Sequence, residues 1–468
     1  MFLQRLFSTG YMVPPGRICG ELPSSRQAYR SAIAIAWPSA IESFLVALIA
    51  SVDTIMVGTL GAEAIAAVGI TTQPRYMVLI FIISLNVGVT TIVARRRGEN
   101  DPESANRCLR QGIILSCLLS FLLGALAILF APQLLVFAGA GQDILADAVI
   151  YYRIIMVGNF FYSVNLTINA AQRGVGNTKI SMVTNLTANG INLVFNYLLI
   201  GGNFGFPRWG VMGAAIATAL GNFIAFVMSF RSILRPHQND FLRLSRKDKW
   251  KLDIPTIRQI FRISSGATAE QFFTRFGLFS YSKIVAGLGT IPFAAHQIVM
   301  NALSISFSFG EGLGAASSAM VGQGLGRSRA DHAIMYGKIC QRIGLLISMV
   351  LCVLFITQRF PIVSVFNDSA EILAMSSIPM ILTGCACLFQ VSSTIYSGSL
   401  RGAGDVIYVA IISLVSVGIV RPIISWVICY PLGLGLMGAW LGLLIEQILR
   451  LVLYGRRFLK YKWVDIIV

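Results

Sequence analysis

Residues 42–70 read ESFLVALIASVDTIMVGTLGAEAIAAVGI, and the pattern returns 228 positions later, where residues 270–298 read EQFFTRFGLFSYSKIVAGLGTIPFAAHQI. The two segments align without a gap and are identical at eight of 29 positions. Chance agreement in so apolar a chain gives roughly two or three identities, and a fixed period indicates a duplicated architecture. The chain is therefore predicted to consist of two homologous halves.

The same offset relates positions far downstream. The motif RGVG at residues 173–176 faces RGAG at residues 401–404, and Glu42 faces Glu270. Asp53, in contrast, faces Tyr281. The scaffold is thus expected to be symmetric while its charge is not, and this asymmetry favours ion coupling in the first half, around Asp53.

Composition places both halves in a membrane. The chain has 468 residues, of which 56% are hydrophobic and 12% charged, with a mean hydropathy of +0.74; soluble domains carry about 25% charged residues. About 20 apolar residues cross a bilayer core as a helix, and twelve such stretches occur, six in each half. Because six crossings return the chain to the same side, the halves are parallel repeats. The predicted fold is an all-α polytopic membrane protein with two six-helix lobes, related by a pseudo-two-fold axis along the membrane normal.

The distribution of basic residues along the chain indicates the membrane topology. The formal net charge of +17 would suggest a nucleic-acid partner on a soluble domain, but 30 of the 37 Lys and Arg residues fall in the termini and alternate loops. The positive-inside rule places such loops, and both termini, in the cytoplasm. We therefore expect no nucleic-acid partner, and a multi-pass protein of the cell (plasma or inner) membrane. The predicted segments are a cytoplasmic N-terminal segment 1–30, a lobe 31–230, a basic cytoplasmic linker 231–258 beside anionic lipid headgroups, a lobe 259–457 and a cytoplasmic tail 458–468.

Acidic residues inside the spans are candidates for function, since ionisable groups in a bilayer are costly and tend to mark ion or substrate pathways. Glu42 and Asp53 lie eleven residues apart in the first span, about three helical turns and on one face. Glu270 opens the seventh span. Glu311 lies in the eighth, where pairing with Lys283 or Arg275 is an alternative, and Glu446 in the twelfth is expected at the membrane interface.

Such carboxylates suit a coupling mechanism. In a low-dielectric cavity a carboxylate is able to take up a proton or to coordinate a hard cation with neighbouring oxygens. A cationic substrate would compete for the same charge, which is sufficient for antiport. Asp53, Glu42 and Glu270 are the predicted ion-coupling residues, with a possible sodium site near Asp53 as the only metal site and no other cofactor. Tyr281, Gln297, Glu311 and Gln390 are further polar candidates for a substrate cavity, and an interhelical hydrogen bond is the alternative for each neutral one.

Motifs of enzymatic chemistry are missing from the sequence. No G-x-x-x-x-G-K-[ST] phosphate loop occurs, and the three histidines form neither an H-E-x-x-H motif nor a plausible Ser-His-Asp set. We therefore expect a transporter driven by an ion gradient and not an enzyme.

Five glycine-rich segments carry a family resemblance over nearly the whole chain. With them the chain resembles the multidrug and toxic compound extrusion (MATE) family. The resemblance implies a V-shaped bundle of two lobes around a central cavity, which exports organic cations and drugs in exchange for sodium ions or protons. The segments are VDTIMVGTLGAEAIAAVGI from Val52, GVMGAAIATALGN from Gly210, GLGTIPFAAHQI from Gly287, GLGAASSAMVGQGLG from Gly312 and SGSLRGAGD from Ser397.

Within that family the chain is closer to the NorM-like than to the DinF-like branch. Asp53 matches the acid that NorM-like members keep in the first helix. Their seventh-helix acid would fall at Thr274, one turn after Glu270, which makes Thr274 another cavity candidate, and their tenth-helix aspartate would fall at Gln390. DinF-like members often carry an aspartate where this chain has Asn196. These departures leave proton and sodium coupling open.

The predicted function is a secondary active efflux transporter for small-molecule organic cations, acting as a monomer by alternating access. The alternative is a flippase for a lipid-linked precursor, whose diphosphate would need a cationic cavity. Arg75, Arg153, Arg275 and Lys283 discriminate between the two, because a flippase would turn most of them into the cavity. A non-transporting receptor or scaffold would not need duplicated acids.

Overall fold

A computed structural model describes residues 8–234, 241–244, 250–366 and 369–466. Parts of the predicted linker 231–258 and of both terminal segments lie outside these residues. Helices make up the regular structure of the described chain, which contains no β-strand. Two short helices, Ala131–Phe137 and Arg359–Ser364, accompany the long ones. The long helices are α1 Ser25–Gly58, α2 Ala62–Gly98, α3 Pro102–Leu129, α4 Leu145–Gly174, α5 Thr178–Gly201, α6 Gly210–Leu234, α7 Ile254–Ala286, α8 Thr290–Gly326, α9 Ala330–Thr357, α10 Ala370–Ala403, α11 Val406–Cys429 and α12 Gly435–Leu459.

Eight of these helices are long and apolar enough to cross a membrane, namely α2, α3, α4, α6 and α9 to α12. The chain is a multi-pass membrane protein. Of the other four long helices, α1 carries Glu42 and Asp53, α7 carries Glu270, α8 carries Glu311 and α5 carries Asn196.

The duplication is visible in the backbone. Helices α2 and α8 begin and end 228 positions apart, and so do α3 and α9, and α5 and α11. The turns between them match as well: Gly61 and Gly289 have φ of 110° and 111°, and Asn100 and Ser328 both have φ of 57°. A φ above 100° is readily adopted only by glycine. This turn conformation therefore explains why both copies of the repeat carry glycine after leucine. The predicted duplication is confirmed.

The symmetry is broken in the middle of α11. Residues Leu414–Val420 form a π-helical segment, whereas the equivalent stretch of α5 is regular α-helix. Such segments are rare and frequently lie at functional sites. Gly277 of α7 lies directly against the carbonyl oxygen of Val417 in this segment, where a Cβ atom would collide with it.

Helix termini follow ordinary capping chemistry. The Asp101 side chain accepts a hydrogen bond from the Ser104 backbone N–H at 3.0 Å and caps α3. That hydrogen bond lowers the pKa of the Asp101 carboxyl below its usual value, because it stabilises the charged form.

Contacts divide the chain into two compact units. The first-half unit comprises Phe44–Ser264, and the second-half unit comprises Met1–Ser43 together with Ser265–Val468. The boundaries fall inside α1 and α7, so that the first helix of each repeat contributes to both units. Glu42 therefore belongs to the second-half unit and Asp53 to the first-half unit.

Candidate ion and substrate sites

Asp53 is the acidic centre of the first-half unit. Its side chain is half-buried, and the Asn196 amide Nδ2 donates to its Oδ1 at 2.9 Å. A terminal atom of the Asn192 amide lies 2.9 Å from both Asp53 oxygens. With nitrogen in that place, Asn192 donates to both and accepts from the Thr218 hydroxyl and backbone N–H at 3.1 Å. Asp53 is thus surrounded by neutral polar side chains.

Local sequence explains this arrangement. Asn192 and Asn196 are four residues apart on α5 and so share one helix face; their exposed fractions are 4% and 2%. Helix α6 approaches this face because Gly221 has no side chain: a Cβ there would lie 2.8 Å from the Ala188 carbonyl oxygen. The close approach brings Thr218, one turn away on α6, to Asn192.

Among the residues that the structure describes, no basic side chain forms an ion pair with the Asp53 carboxylate. The Asn196 Oδ1 atom is buried and accepts no hydrogen bond there. One carboxylate and one unpartnered acceptor oxygen make a site suited to a proton or to a hard monovalent cation.

A different arrangement occurs in the second-half unit, in a set that we name the Arg401 cluster (Glu270, Glu311 and Arg401). Glu270 of α7 is 8% exposed, and its Oε1 lies 3.4 Å from Arg401 Nη1. Glu311 of α8 lies 4.0 Å from Arg401 Nη2, and its side chain is 45% exposed. The Glu270 Oε2 atom is buried without a hydrogen-bond partner among the described residues.

Glycines place Arg401 beside Glu311. On α10, Gly398 lies against the Gly314 carbonyl oxygen and Gly402 against that of Ser318, both on α8, so that a Cβ on either glycine would collide with that oxygen. Small residues permit such backbone contact between membrane helices. The motif RGAG, which first appeared as part of the repeat, therefore has the physical role of bringing two helices together around a charged side chain.

A second ion cluster lies in the same unit, the Arg421 cluster (Arg421, Glu446 and Arg450). Arg421 Nη2 lies 2.5 Å and Arg450 Nε 2.7 Å from the two oxygens of Glu446. Glu446 is fully buried and Arg421 is 4% exposed. Two arginines hold Glu446 in the interior of this unit, and its expected position at the membrane interface stays a prediction.

The remaining candidates are scattered through the second-half unit. Tyr281 is 1% exposed within an apolar core, and its hydroxyl donates to the Ala439 carbonyl at 3.2 Å. Gln390 is buried and accepts from the Ser306 hydroxyl at 2.6 Å. Thr274 is half-buried, Gln297 is exposed, and Glu42 is 7% exposed. Their roles stay predictions.

Three residues of these sites were not predicted from the sequence to be site residues. Arg401 appeared only as a repeat position, and neither Asn192 nor Thr218 was among the candidates. The sequence signal for this site is the i, i+4 spacing of Asn192 and Asn196, which places both side chains on one helix face. Lys283 and Arg275 were the alternative partners expected for Glu311. In the structure the cation next to Glu311 is Arg401 instead.

Comparison with known families resolves the identity of the fold. The MatE family model matches the chain twice, over residues 38–198 and 267–427. The chain belongs to the MATE family. The two matches reproduce the duplication, and the family consists of membrane transport proteins.

Similar proteins cover almost the whole MATE chain. A probable multidrug resistance protein NorM of Thermotoga maritima is 26% identical, with 95% of this chain and 94% of the relative aligned. The multidrug resistance protein MdtK of Edwardsiella ictaluri is 27% identical, with coverage of 89% and 92%. The resemblance to the NorM-like branch agrees with these names.

Solved structures show the same fold. An outward-facing multidrug resistance MATE family transporter superposes with a TM-score of 0.86 at 19% identity, covering 93% of this chain and 97% of that one. A MOP superfamily transporter from Pyrococcus furiosus, described as having a binding pocket of reverse polarity, superposes with a TM-score of 0.87 at 18% identity and coverage of 94% and 97%. The predicted all-α fold with two homologous six-helix lobes is confirmed.

Proposed function

We propose that this MATE transporter exports organic cations and drugs in exchange for protons or sodium ions by alternating access. The observation that carries the proposal is Asp53: a carboxylate inside a membrane helix, held by neutral amides and without an ion-pair partner among the described residues. The names of the relatives as multidrug resistance proteins support drugs as substrates.

Coupling follows from the charge of Asp53. When the carboxylate is ionised, it attracts any cation that reaches it, since the surrounding amides bring no formal charge. A bound proton or sodium ion cancels that attraction and competes with a cationic substrate. If the driving ion binds one conformation more tightly than the other, it shifts the equilibrium between inward-facing and outward-facing states.

Glu270 is proposed as a second coupling site. Its buried Oε2 atom has no donor among the described residues, and an acceptor left in that state costs about 1–3 kcal/mol or more. A proton or a small cation would satisfy it. We assign Glu42, its repeat equivalent, the same role. Glu311, Thr274, Tyr281, Gln297 and Gln390 are assigned to the substrate pathway; of these Glu311 has the most suitable position, because it is an acid with a half-exposed side chain.

The proposed orientation puts both termini in the cytoplasm, with the protein acting as a monomer in the cell membrane and its basic loops beside anionic lipids. The flippase alternative is not favoured. Arg75 donates to the Asn159 amide oxygen at 3.1 Å, and the half-exposed acid Glu311 would repel a diphosphate. The family match and the multidrug names of the relatives also point to drug efflux.

The test is transport by the purified protein in proteoliposomes with a fluorescent organic cation such as ethidium. Proton and sodium gradients are imposed separately, and each is collapsed by its ionophore as the control. We expect accumulation of the dye against its gradient with at least one of the two ions and loss of accumulation when that ionophore is added. Equal dye movement with and without either gradient would show that the chain is not a cation antiporter.

A further inference from the structure

We propose that a cluster of asparagines on α4 and α5 is an intermediate binding site for a sodium ion that passes between Asp53 and the cytoplasmic end of the first-half unit. We name this set the Asn169 cluster (Asn165, Asn169 and Asn185). The inference rests on the proposed function and deepens it, because it names sodium as the driving ion and assigns it a path within one unit.

Polar side chains follow one face of α5 along most of its length. At 3.6 residues per turn they all fall within about 80° of one another around the helix axis. Asn192 and Asn196 hold Asp53, and the same face continues from there toward the end of α5 that the proposed orientation puts in the cytoplasm. The residues of this polar face are Thr178, Ser181, Asn185, Asn189, Asn192 and Asn196.

The second half does not repeat this polar face. The equivalent positions of α11, 228 residues later, carry five β-branched apolar residues and one serine. The fold therefore does not need polar groups at these positions. Since polar groups within a membrane are costly and tend to mark pathways, the asparagines of α5 indicate a function that belongs to the first half. The equivalent residues are Val406, Val409, Ser413, Val417, Val420 and Ile424.

The Asn169 cluster lies where α4 meets this face of α5. Asn169 Nδ2 donates to Asn165 Oδ1 at 3.0 Å, and Asn165 Nδ2 donates to Asn185 Oδ1 at 3.3 Å. Asn165 and Asn169 are each 1% exposed. Asn185 and Asn192 are seven residues apart, so the cluster lies about 10 Å from the Asp53 site along the helix axis.

One acceptor atom of the cluster is left open. Asn169 Oδ1 is buried and accepts no hydrogen bond from any residue that the structure describes. An acceptor in that state is unfavourable, so hydrogen bonding between the helices does not by itself explain the cluster. Asn196 Oδ1, in the Asp53 site, is in the same condition. Both ends of the path thus present an amide oxygen to a ligand from outside the protein.

The chemistry of the cluster favours sodium over a proton. Carbonyl-type oxygens are ligands of hard cations and replace the water around them, whereas an amide side chain does not titrate near neutral pH. Asp53 is able to bind either ion, but the Asn169 cluster is suited to sodium alone. Arg173 follows Asn169 by one turn, at the end of α4. A positive charge nearby weakens cation binding, so the cluster is suited to passage and not to storage.

Serines at the equivalent positions of the second half supply the substitutions for a test. Ser393 and Ser397 of α10 correspond to Asn165 and Asn169. Their hydroxyls donate to carbonyl oxygens of their own helix, those of Gln390 and Thr394, at 2.9 Å each. A serine in place of Asn169 is expected to do the same, which removes the open oxygen and keeps a side chain that this fold accepts.

The experiment compares wild type, Asn169→Ser and Asp53→Asn, with Asn222→Ser, a half-buried asparagine of α6, as the matched control. Two quantities are measured: the initial rate of ethidium accumulation in proteoliposomes under a saturating sodium gradient, and equilibrium binding of radioactive sodium to the purified protein. For Asn169→Ser we expect the rate to fall about tenfold, while the sodium dissociation constant stays within about threefold of wild type. Asp53→Asn is expected to lose sodium binding, and Asn222→Ser to match wild type in both measurements.

Failure of this inference is distinct from failure of the proposed function. If wild type accumulates dye under a proton gradient and not under a sodium gradient, the Asn169 cluster is not a sodium site, although the chain is still a cation antiporter. Accumulation by Asn169→Ser at the wild-type rate also overturns the inference, and so does a loss of sodium binding as complete as that of Asp53→Asn. Should Asn169→Ser not fold, Asn165→Ser replaces it with the same expected and contradicting results. Absence of accumulation under either gradient would instead refute the proposed function.

Discussion

The two units hold their intramembrane acids in opposite ways. In the first-half unit Asp53 is surrounded by the amides of Asn192 and Asn196, which are neutral. In the second-half unit Glu270 and Glu446 face the guanidinium groups of arginines. Two homologous scaffolds therefore reach two electrostatic solutions, in which an acid is surrounded either by neutral amides or by the guanidinium groups of arginines.

This difference predicts which acid contributes to ion binding and which to the stability of the fold. An acid among amides leaves no stranded cation when it is neutralised, so its loss affects ion binding and not folding. An acid paired with buried arginines stabilises them, and its removal leaves their charge uncompensated. The following variants test that division.

The largest expected effect is on stability in the second-half unit. Glu446→Gln leaves Arg421 and Arg450 without their carboxylate and should destabilise the protein by about 3–5 kcal/mol. Thermal unfolding in detergent, followed by intrinsic fluorescence, measures this loss. Glu371→Gln, which changes an exposed acid of α10, is the control, with an expected change within about 0.5 kcal/mol. Equal melting temperatures for the two variants would contradict the comparison.

The next effect is on transport in the first-half unit. Asp53→Asn should leave the melting temperature close to that of wild type and reduce gradient-driven dye accumulation at least about tenfold, which corresponds to about 1.4 kcal/mol. The reason is that asparagine keeps the shape of the side chain but carries no charge for a driving ion. Asp147→Asn, an exposed acid of α4, serves as the control. Undiminished accumulation by Asp53→Asn would remove Asp53 from the coupling mechanism.

The smallest effect comes from making the amide site more acidic. Asn196→Asp places a second carboxylate beside Asp53 and should lower the half-maximal concentration of the driving cation about threefold to tenfold, because two negative charges attract a cation more strongly than one. The titration of dye accumulation against ion concentration measures the change. Asn189→Asp on the same helix is the control, and an identical shift in both variants would assign the effect to the general potential of the lobe.

Some features of the sites were accessible from sequence and others were not. Asp53, Glu270 and Glu311 were identified because an acid within an apolar stretch stands out in composition alone. Arg401 was not identified as a site residue, since a basic residue near a helix end is usually explained by the excess of basic residues on the cytoplasmic side of a membrane. Its role depends on Glu270, which lies 131 positions away, and no local pattern indicates such a contact. The partner of Glu446 was not foreseen for the same reason, because Arg421 lies 25 positions away.

The sequence by itself determined the duplication, the all-α class and the inventory of intramembrane acids. These properties follow from a fixed offset, from the length of apolar stretches and from residue identity, all of which are carried along the chain. Tertiary structure alone decided which acids face amides and which face arginines. Charge compensation depends on distances of a few ångströms between helices far apart in sequence, and glycines such as Gly221 and Gly402 set those distances by allowing the backbones to meet.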